Sequence, residues 1–116
     1  MASGGDPWAG CPPGWQRVMV FCERGGHRKF LGRGWAHRFG DGFPAVAFDR
    51  GARCIERTGI KHGDGGVTFR FVCPFRGCGH RPVAREEKLG ALIEGLAEAG
   101  RVDTMGRVIL NVGELP

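Results

Sequence analysis

Two short stretches of the sequence combine cysteine, glycine and histidine in nearly the same order. The first is FCERGGHRKF at 21–30, and the second is FVCPFRGCGHRP at 71–82. Two side chains separated by a tight loop can bind the same metal ion, because the loop turns both of them in one direction. A chain with two such loops is therefore restricted to folds that bring the loops together.

Four residues of these stretches have the spacing of zinc ligands. Cys22 and His27 form a C-x4-H pair, and Cys73 and Cys78 form a C-x4-C pair. Zinc in proteins is held by four tetrahedral ligands, mainly thiolate sulfur and imidazole nitrogen. We therefore predict one Cys3His site with a single structural Zn²⁺ per chain. Matching the two stretches on Gly-His-Arg pairs His27 with His80, so His80 is the reserve ligand in place of Cys78, or a group that contacts a ligand.

A site closed by four protein ligands leaves no position for water and contributes folding free energy, on the order of 10 kcal/mol or more in zinc-finger peptides. A zinc deaminase would need an H-x-E motif and a P-C-x-x-C motif, whereas Arg-Lys and Arg-Pro follow His27 and His80. We expect a non-enzymatic protein without a small-molecule substrate. Iron is the alternative metal, since cysteine-rich sites accept both ions. Cys11 and Cys54 stand outside the paired spacing and are not expected to be ligands.

The remaining pattern predicts an α+β fold, with residues 1–16 as a flexible arm and residues 17–116 as a single domain. The fold we predict is a small antiparallel β-sheet that holds the zinc site, with one C-terminal amphipathic helix and a final short strand. Alternation of apolar residues and turn signals predict strands at 17–21, 29–32, 33–39, 43–48, 53–57, 67–73 and 107–112. A helix is predicted at about 84–99, because apolar residues recur there at i, i+3, i+4, i+7 and i+8, namely Leu89, Leu92, Ile93, Leu96 and Ala97.

The order of strand, metal-binding loop, strand, long excursion, strand and second loop resembles the zinc-ribbon class. FVCPFRGCGHRP, followed by a leucine-rich helix, is similar to small zinc-ribbon proteins of high-GC bacteria and their phages. The resemblance implies a structural zinc, and a role in nucleic-acid-binding and transcription-associated proteins or in adaptors that contact only protein. The loops are longer than the usual C-P-x-C-G loop, and His27 stands where one thiol is usual.

The basic residues are concentrated in the segment that contains both loops. Residues 17–81 hold thirteen Arg or Lys and five Asp or Glu, a net charge of +8, whereas residues 82–116 have a net charge of −2. Such a field attracts nucleic acid or an acidic protein surface. We expect nucleic acid to be the partner, with an acidic surface of a transcription or replication complex as the alternative. The candidate contact residues are Arg24, Arg28, Lys29, Arg33, Trp35, Arg38, Arg76 and Arg81.

The location of the protein is predicted from what its sequence lacks. We find no basic-then-apolar segment typical of a signal peptide and no run of about 18 apolar residues. Five cysteines are an odd number, which suits metal-binding thiols in a reducing compartment better than a disulfide framework. We therefore expect a cytoplasmic protein without a membrane span.

Overall fold

Seven β-strands and one α-helix form the fold in a computed structural model, which describes residue 8 and residues 10–38, 44–58 and 67–115. The predicted α+β class is confirmed. The elements in chain order are β1 (Gln16–Cys22), β2 (Lys29–Arg38), β3 (Pro44–Phe48), β4 (Ile55–Thr58), β5 (Thr68–Phe71), β6 (Val83–Arg85), α1 (Glu86–Glu98) and β7 (Val108–Asn111). Half of the predicted arm, at residues 1–7 and 9, lies outside the described residues.

The strands form two sheets. The first sheet has the order β3-β2-β1-β7, and the second has the order β4-β5-β6. All neighbouring strands are antiparallel except β1 and β7, which are parallel, so the first sheet is mixed where the sequence predicted an antiparallel one. β7 runs in the same direction as β1, beside which it forms the edge of the sheet. The chain crosses the face of the sheet through α1 before β7, and a crossover of this kind allows parallel pairing.

The strands predicted at 29–32 and 33–39 are one ten-residue strand, β2. The predicted boundary between them falls after Gly32, but Gly32 and Gly34 are buried positions within the strand. A Cβ at Gly32 would lie 2.5 Å from the Cβ of Ala52, and one at Gly34 would lie 2.4 Å from Cδ1 of Phe48. Both glycines therefore allow close packing, so the strand continues through them.

The helix begins at Glu86, two residues later than predicted, because the preceding residues form β6. Val83 and Ala84 pair with β5, and the backbone N–H of Glu86 donates to the carbonyl of Val67 at 2.8 Å. Residues 84 and 85, which were predicted to begin the helix, therefore belong to a β-strand. Of the predicted apolar face, Leu89 and Ile93 are fully buried and Leu96 and Ala97 are partly buried, whereas Leu92 is 37% exposed at the edge of the face.

The hydrophobic core lies between one face of the first sheet, α1 and the second sheet. In β1 every second residue points into it, and Val18, Val20 and Cys22 have no exposed surface. Complete burial of one aliphatic side chain stabilises a fold by about 1.5–3 kcal/mol. The other buried members of the core are Leu31, Ala36, Val46, Phe69, Phe71, Cys73, Leu89, Ile93, Val108, Leu110 and Val112.

Candidate metal centre

The first ligand loop connects β1 to β2. Cys22 is the last residue of β1 and, by the alternation of the strand, its side chain points into the core. The chain then forms one turn of 3₁₀ helix at Arg24–Gly26, in which Gly25 and Gly26 have φ angles of 73° and 89°. Only glycine adopts these angles without strain, and the turn brings the side chain of His27 back beside Cys22.

The second ligand loop connects β5 to β6. Cys73 follows the end of β5 by two residues, and the backbone N–H of Cys78 donates to the carbonyl of Phe75 at 3.0 Å. Gly77 and Gly79 have φ angles of 87° and 63°, which again require glycine. Both cysteines of the second pair therefore point toward the first loop.

The two loops bring the four predicted ligands together. The ligand atoms of Cys22, His27, Cys73 and Cys78 all lie within 4.8 Å of one another. Sγ of Cys22 is 3.9 Å from Sγ of Cys78, and Nε2 of His27 is 3.2 Å from Sγ of Cys73. His80, the reserve ligand, is outside this group. The four residues are close enough to hold one metal ion.

The distances suit a tetrahedral site. Zn–S bonds of 2.3 Å in a tetrahedron separate two sulfur atoms by about 3.8 Å, and a sulfur and a nitrogen by about 3.5 Å. The separation of 3.9 Å between Cys22 and Cys78 agrees with this, and the separation of 3.2 Å between His27 and Cys73 is slightly shorter. Three thiols with one imidazole are the donor set that Zn²⁺ prefers, so the residues fit this ion.

The thiols of the second pair have opposite pKa shifts. Burial, together with hydrogen bonds with Cys22 and Cys78, raises the pKa of Cys73 to about 11, although a backbone hydrogen bond with Phe75 acts in the opposite direction. The pKa of Cys78 is lowered, mainly because the backbone N–H of His80 donates to its sulfur. A metal binds the thiolate, so binding at neutral pH must displace the proton of Cys73.

An aromatic ring that the sequence analysis did not select orients the histidine ligand. The ring of Phe75 stacks on the imidazole of His27, with a centroid separation of 4.1 Å and an interplanar angle of 1°. The phenyl ring restricts rotation of the imidazole and so keeps Nε2 directed at Cys73. The sequence signal that could have identified Phe75 is its position between the two cysteines of the second pair.

His80, the predicted reserve ligand, does not belong to the group of four possible ligands. Its backbone N–H donates to the sulfur of Cys78, while its side-chain Nε2 is buried without a hydrogen-bond partner among the described residues. The contact of His80 with the sulfur of Cys78 is therefore made by its backbone, which agrees with the alternative prediction of a group that contacts a ligand.

The residues predicted to contact nucleic acid or a partner protein lie in different parts of the structure. Arg24 and Arg76 line a cavity of about 260 Å³ together with His27, Phe75 and Cys78. Arg28 and Arg33 each pack over a phenyl ring of β1 or β2. The exposed residues Lys29 and Arg81 lie at the start of β2 and just before β6, and Arg38 ends β2.

Trp35 does not have the exposed position of a contact residue. Its side chain is only 8% exposed, and the ring of Trp8 packs edge-on against it at a centroid separation of 6.5 Å. Gly10 also lies against it, since a Cβ there would be 3.2 Å from the indole ring. A residue that comes early in the chain thus covers Trp35, a contact that no local pattern indicates.

Comparison of the chain with protein-family models, with curated proteins and with solved structures finds no match. None of the helices in the described part of the chain has the length and apolar character needed to cross a membrane. Functional conclusions are therefore drawn from the geometry of the metal centre and the surface around it.

Proposed function

We propose that this chain is a zinc-ribbon protein without catalytic activity, which holds one structural Zn²⁺ and binds nucleic acid beside the metal centre. Cys22, His27, Cys73 and Cys78 are the ligands in this proposal. Zinc would neutralise the thiolates and join the two loops, and it would leave no ligand position for a reacting water. Transcription regulation is the setting that the resemblance to zinc ribbons favours.

One observation supports nucleic acid as the partner. Arg24, from the first loop, and Arg76, from the second, line the same cavity beside the ligands. Guanidinium groups from two loops that face one concave surface can contact successive phosphates, and release of counterions then supplies most of the affinity. Contacts to phosphate position a protein without reading sequence, so we propose binding with little base preference.

The metal is tested by elemental analysis of the purified protein. We expect one zinc per chain in the natural protein and in Cys11→Ser, whose residue 11 lies outside the ligand group. The double variant Cys73→Ser, Cys78→Ser is expected to contain none, because serine is a poor zinc ligand. One iron per chain would replace zinc in the proposal, and absence of any metal from the natural protein would refute it.

Nucleic-acid binding is tested by the salt dependence of affinity for a fluorescent oligonucleotide. Each lost phosphate contact lowers the slope of log affinity against log salt by about 1. The variant Arg24→Gln, Arg76→Gln is therefore expected to bind more weakly and with a smaller slope. The control is Arg101→Gln, which removes the charge of an exposed arginine beyond α1 and is expected to retain the natural slope. No binding by the natural protein would exclude this function.

A second candidate function is an adaptor that binds an acidic protein surface. It is favoured by Phe75, which is 41% exposed and lines the same cavity as Arg76. Aromatic residues and arginine are the types enriched in protein interfaces. An interface with an apolar centre depends less steeply on salt than phosphate binding does, so the salt series separates the two functions.

A further inference from the structure

We infer that the face of the β1–β2 hairpin turned away from the core binds single-stranded nucleic acid, by stacking bases on two arginine–phenylalanine pairs. We call Phe21, Arg28, Phe30 and Arg33 the Arg–Phe patch. The inference rests on the proposed function and specifies the form of nucleic acid and a second group of contact residues, apart from the cavity beside the metal centre.

The register of the hairpin places the patch opposite the core. Val18, Val20 and Cys22 are fully buried, so the alternating residues Met19 and Phe21 belong to the other face of β1. Cross-strand partners share a face, and Phe21 pairs with Phe30 while Met19 pairs with Arg33. Phe21 and Phe30 are thus neighbours despite the register shift between Val20 and Phe21.

Each phenyl ring supports one guanidinium group. The two rings are 5.4 Å apart and tilted by 59°. Cζ of Arg28 lies 4.4 Å from the centroid of Phe21, and Cζ of Arg33 lies 5.0 Å from the centroid of Phe30. Attraction between a cation and an aromatic face, together with the packing of the stem, limits the motion of each arginine.

Each pair offers one exposed residue to a ligand, while its other residue, Phe21 or Arg33, is partly buried. Phe30 is 40% exposed, and the side chain of Arg28 is 60% exposed. Glu23 faces Arg28 at 3.8 Å, but such a solvated ion pair is weak and leaves N–H groups of the guanidinium available. A base can stack on the solvent side of a guanidinium plane while its N–H groups donate to the neighbouring phosphate.

The shape of this face favours a single strand over a duplex. The helix α1 packs on the opposite side of the sheet, because Leu89 and Ile93 belong to the same core as Val18 and Val20. β1 and β2 are the two central strands of a four-stranded sheet, so they are not free to enter a major groove as a two-stranded β-ribbon does. Base faces are accessible for stacking in a single strand, whereas in a duplex they are stacked on one another.

The test compares affinities for a 15-nucleotide oligo-dT and for a 15-base-pair duplex by fluorescence anisotropy. We expect the natural protein to bind the single strand more tightly. Arg28→Lys with Arg33→Lys keeps both charges but loses the planar groups, so affinity for oligo-dT should fall about tenfold per lost stacked base at an unchanged salt slope. Phe21→Leu with Phe30→Leu should have the same effect while the face stays apolar. Thermal unfolding of each variant checks that the fold is retained.

The outcomes separate this inference from the proposed function. If Arg24→Gln, Arg76→Gln weakens binding but the lysine and leucine variants bind oligo-dT like the natural protein, only the inference is refuted. Equal or tighter binding to the duplex would also refute it. If the natural protein binds neither probe, both proposals fail. If the patch variants instead lose binding to poly-glutamate and not to oligo-dT, the patch is a protein-binding surface and the inference is wrong.

Discussion

Asn111 holds the first ligand loop in place although it is distant from that loop in the sequence. Its side-chain oxygen accepts hydrogen bonds from the backbone N–H groups of Glu23 and Gly113, each at 2.9 Å. Gly113 itself lies against the loop, since a Cβ there would be 2.8 Å from the backbone nitrogen of Arg24. The end of β7 therefore supports the turn between Cys22 and His27, and the position of two ligands depends on it.

Replacement of Asn111 tests this support. Asn111→Ala removes both acceptor contacts and is expected to lower the free energy of unfolding by about 1–2 kcal/mol, because each net hydrogen bond contributes about 0.5–1.5 kcal/mol. Asn111→Asp keeps an acceptor oxygen at the same place and should be closer to the natural protein. Denaturant unfolding of the metal-loaded protein measures both. Equal stability of the alanine variant and the natural protein would contradict the proposed support.

At the scale of the element, glycine lets α1 pack closely on the first sheet. Gly90 faces β3, where an added Cβ would be 2.3 Å from Cγ of Pro44. One turn earlier, Oε2 of Glu86 accepts a hydrogen bond from the backbone N–H of Val46 at 2.9 Å. The helix thus satisfies a donor on the edge strand β3. The close approach of α1 to Pro44 requires a residue without a side chain at position 90.

Gly95, an exposed glycine of the same helix, provides a matched comparison. A Cβ at Gly95 would meet nothing within 4 Å. We expect Gly95→Ala to stabilise the protein by about 0.5–1 kcal/mol through helix propensity, and Gly90→Ala to destabilise it by about 1–3 kcal/mol through overpacking. Urea denaturation of both variants measures the difference. Stabilisation by both substitutions would show that α1 can move away from Pro44 at little cost.

At the scale of the whole molecule, the metal centre joins the two sheets. Cys22 ends a strand of the first sheet, whereas Cys73 and Cys78 follow a strand of the second. The core and the centre are continuous, since Cys22 and Cys73 are themselves buried core residues. A metal bound here would stabilise the folded state by its own binding free energy, because the ligands are not assembled in the unfolded chain.

Removal of the metal should therefore lower the thermal stability of the whole protein. At pH 7.5 we expect a chelator to reduce Tm by at least about 10 °C, since the loss of a few kcal/mol shifts the Tm of a domain this size by about 4 °C per kcal/mol. The raised pKa of Cys73, about 11, keeps its thiol protonated without metal. Metal binding then releases protons, so acid favours the metal-free form and the effect of the chelator should shrink at pH 5.5.

Calorimetry with and without chelator at the two pH values measures this effect. The variant Cys73→Ser, Cys78→Ser, which loses two ligands, is the control and should unfold at the same temperature with and without chelator. A natural protein whose Tm does not respond to chelator at pH 7.5 would show that the centre contributes nothing to folding.

Local signals in the sequence were enough to predict the α+β class, the two buried leucine and isoleucine positions of α1 and the grouping of four residues that are close enough to hold a metal ion. Each signal depends on residues within one turn or one strand: the spacing of Cys22 and His27, that of Cys73 and Cys78, and the recurrence of Leu89 and Ile93. Tight loops and helical periodicity act over such distances, so the sequence alone reveals them.

Contacts between distant residues were decided only by the tertiary structure. They include the parallel pairing of β1 with β7, the covering of Trp35 by Trp8, and the pairing of Phe21 with Phe30 on the outer face. The same holds for Gly32, which the sequence placed at the end of a strand, whereas the close approach of Ala52 requires a glycine inside a longer strand. These contacts depend on which faces of the strands and the helix meet when the chain packs. Local propensity does not select among these packing arrangements, whereas close packing of the core does.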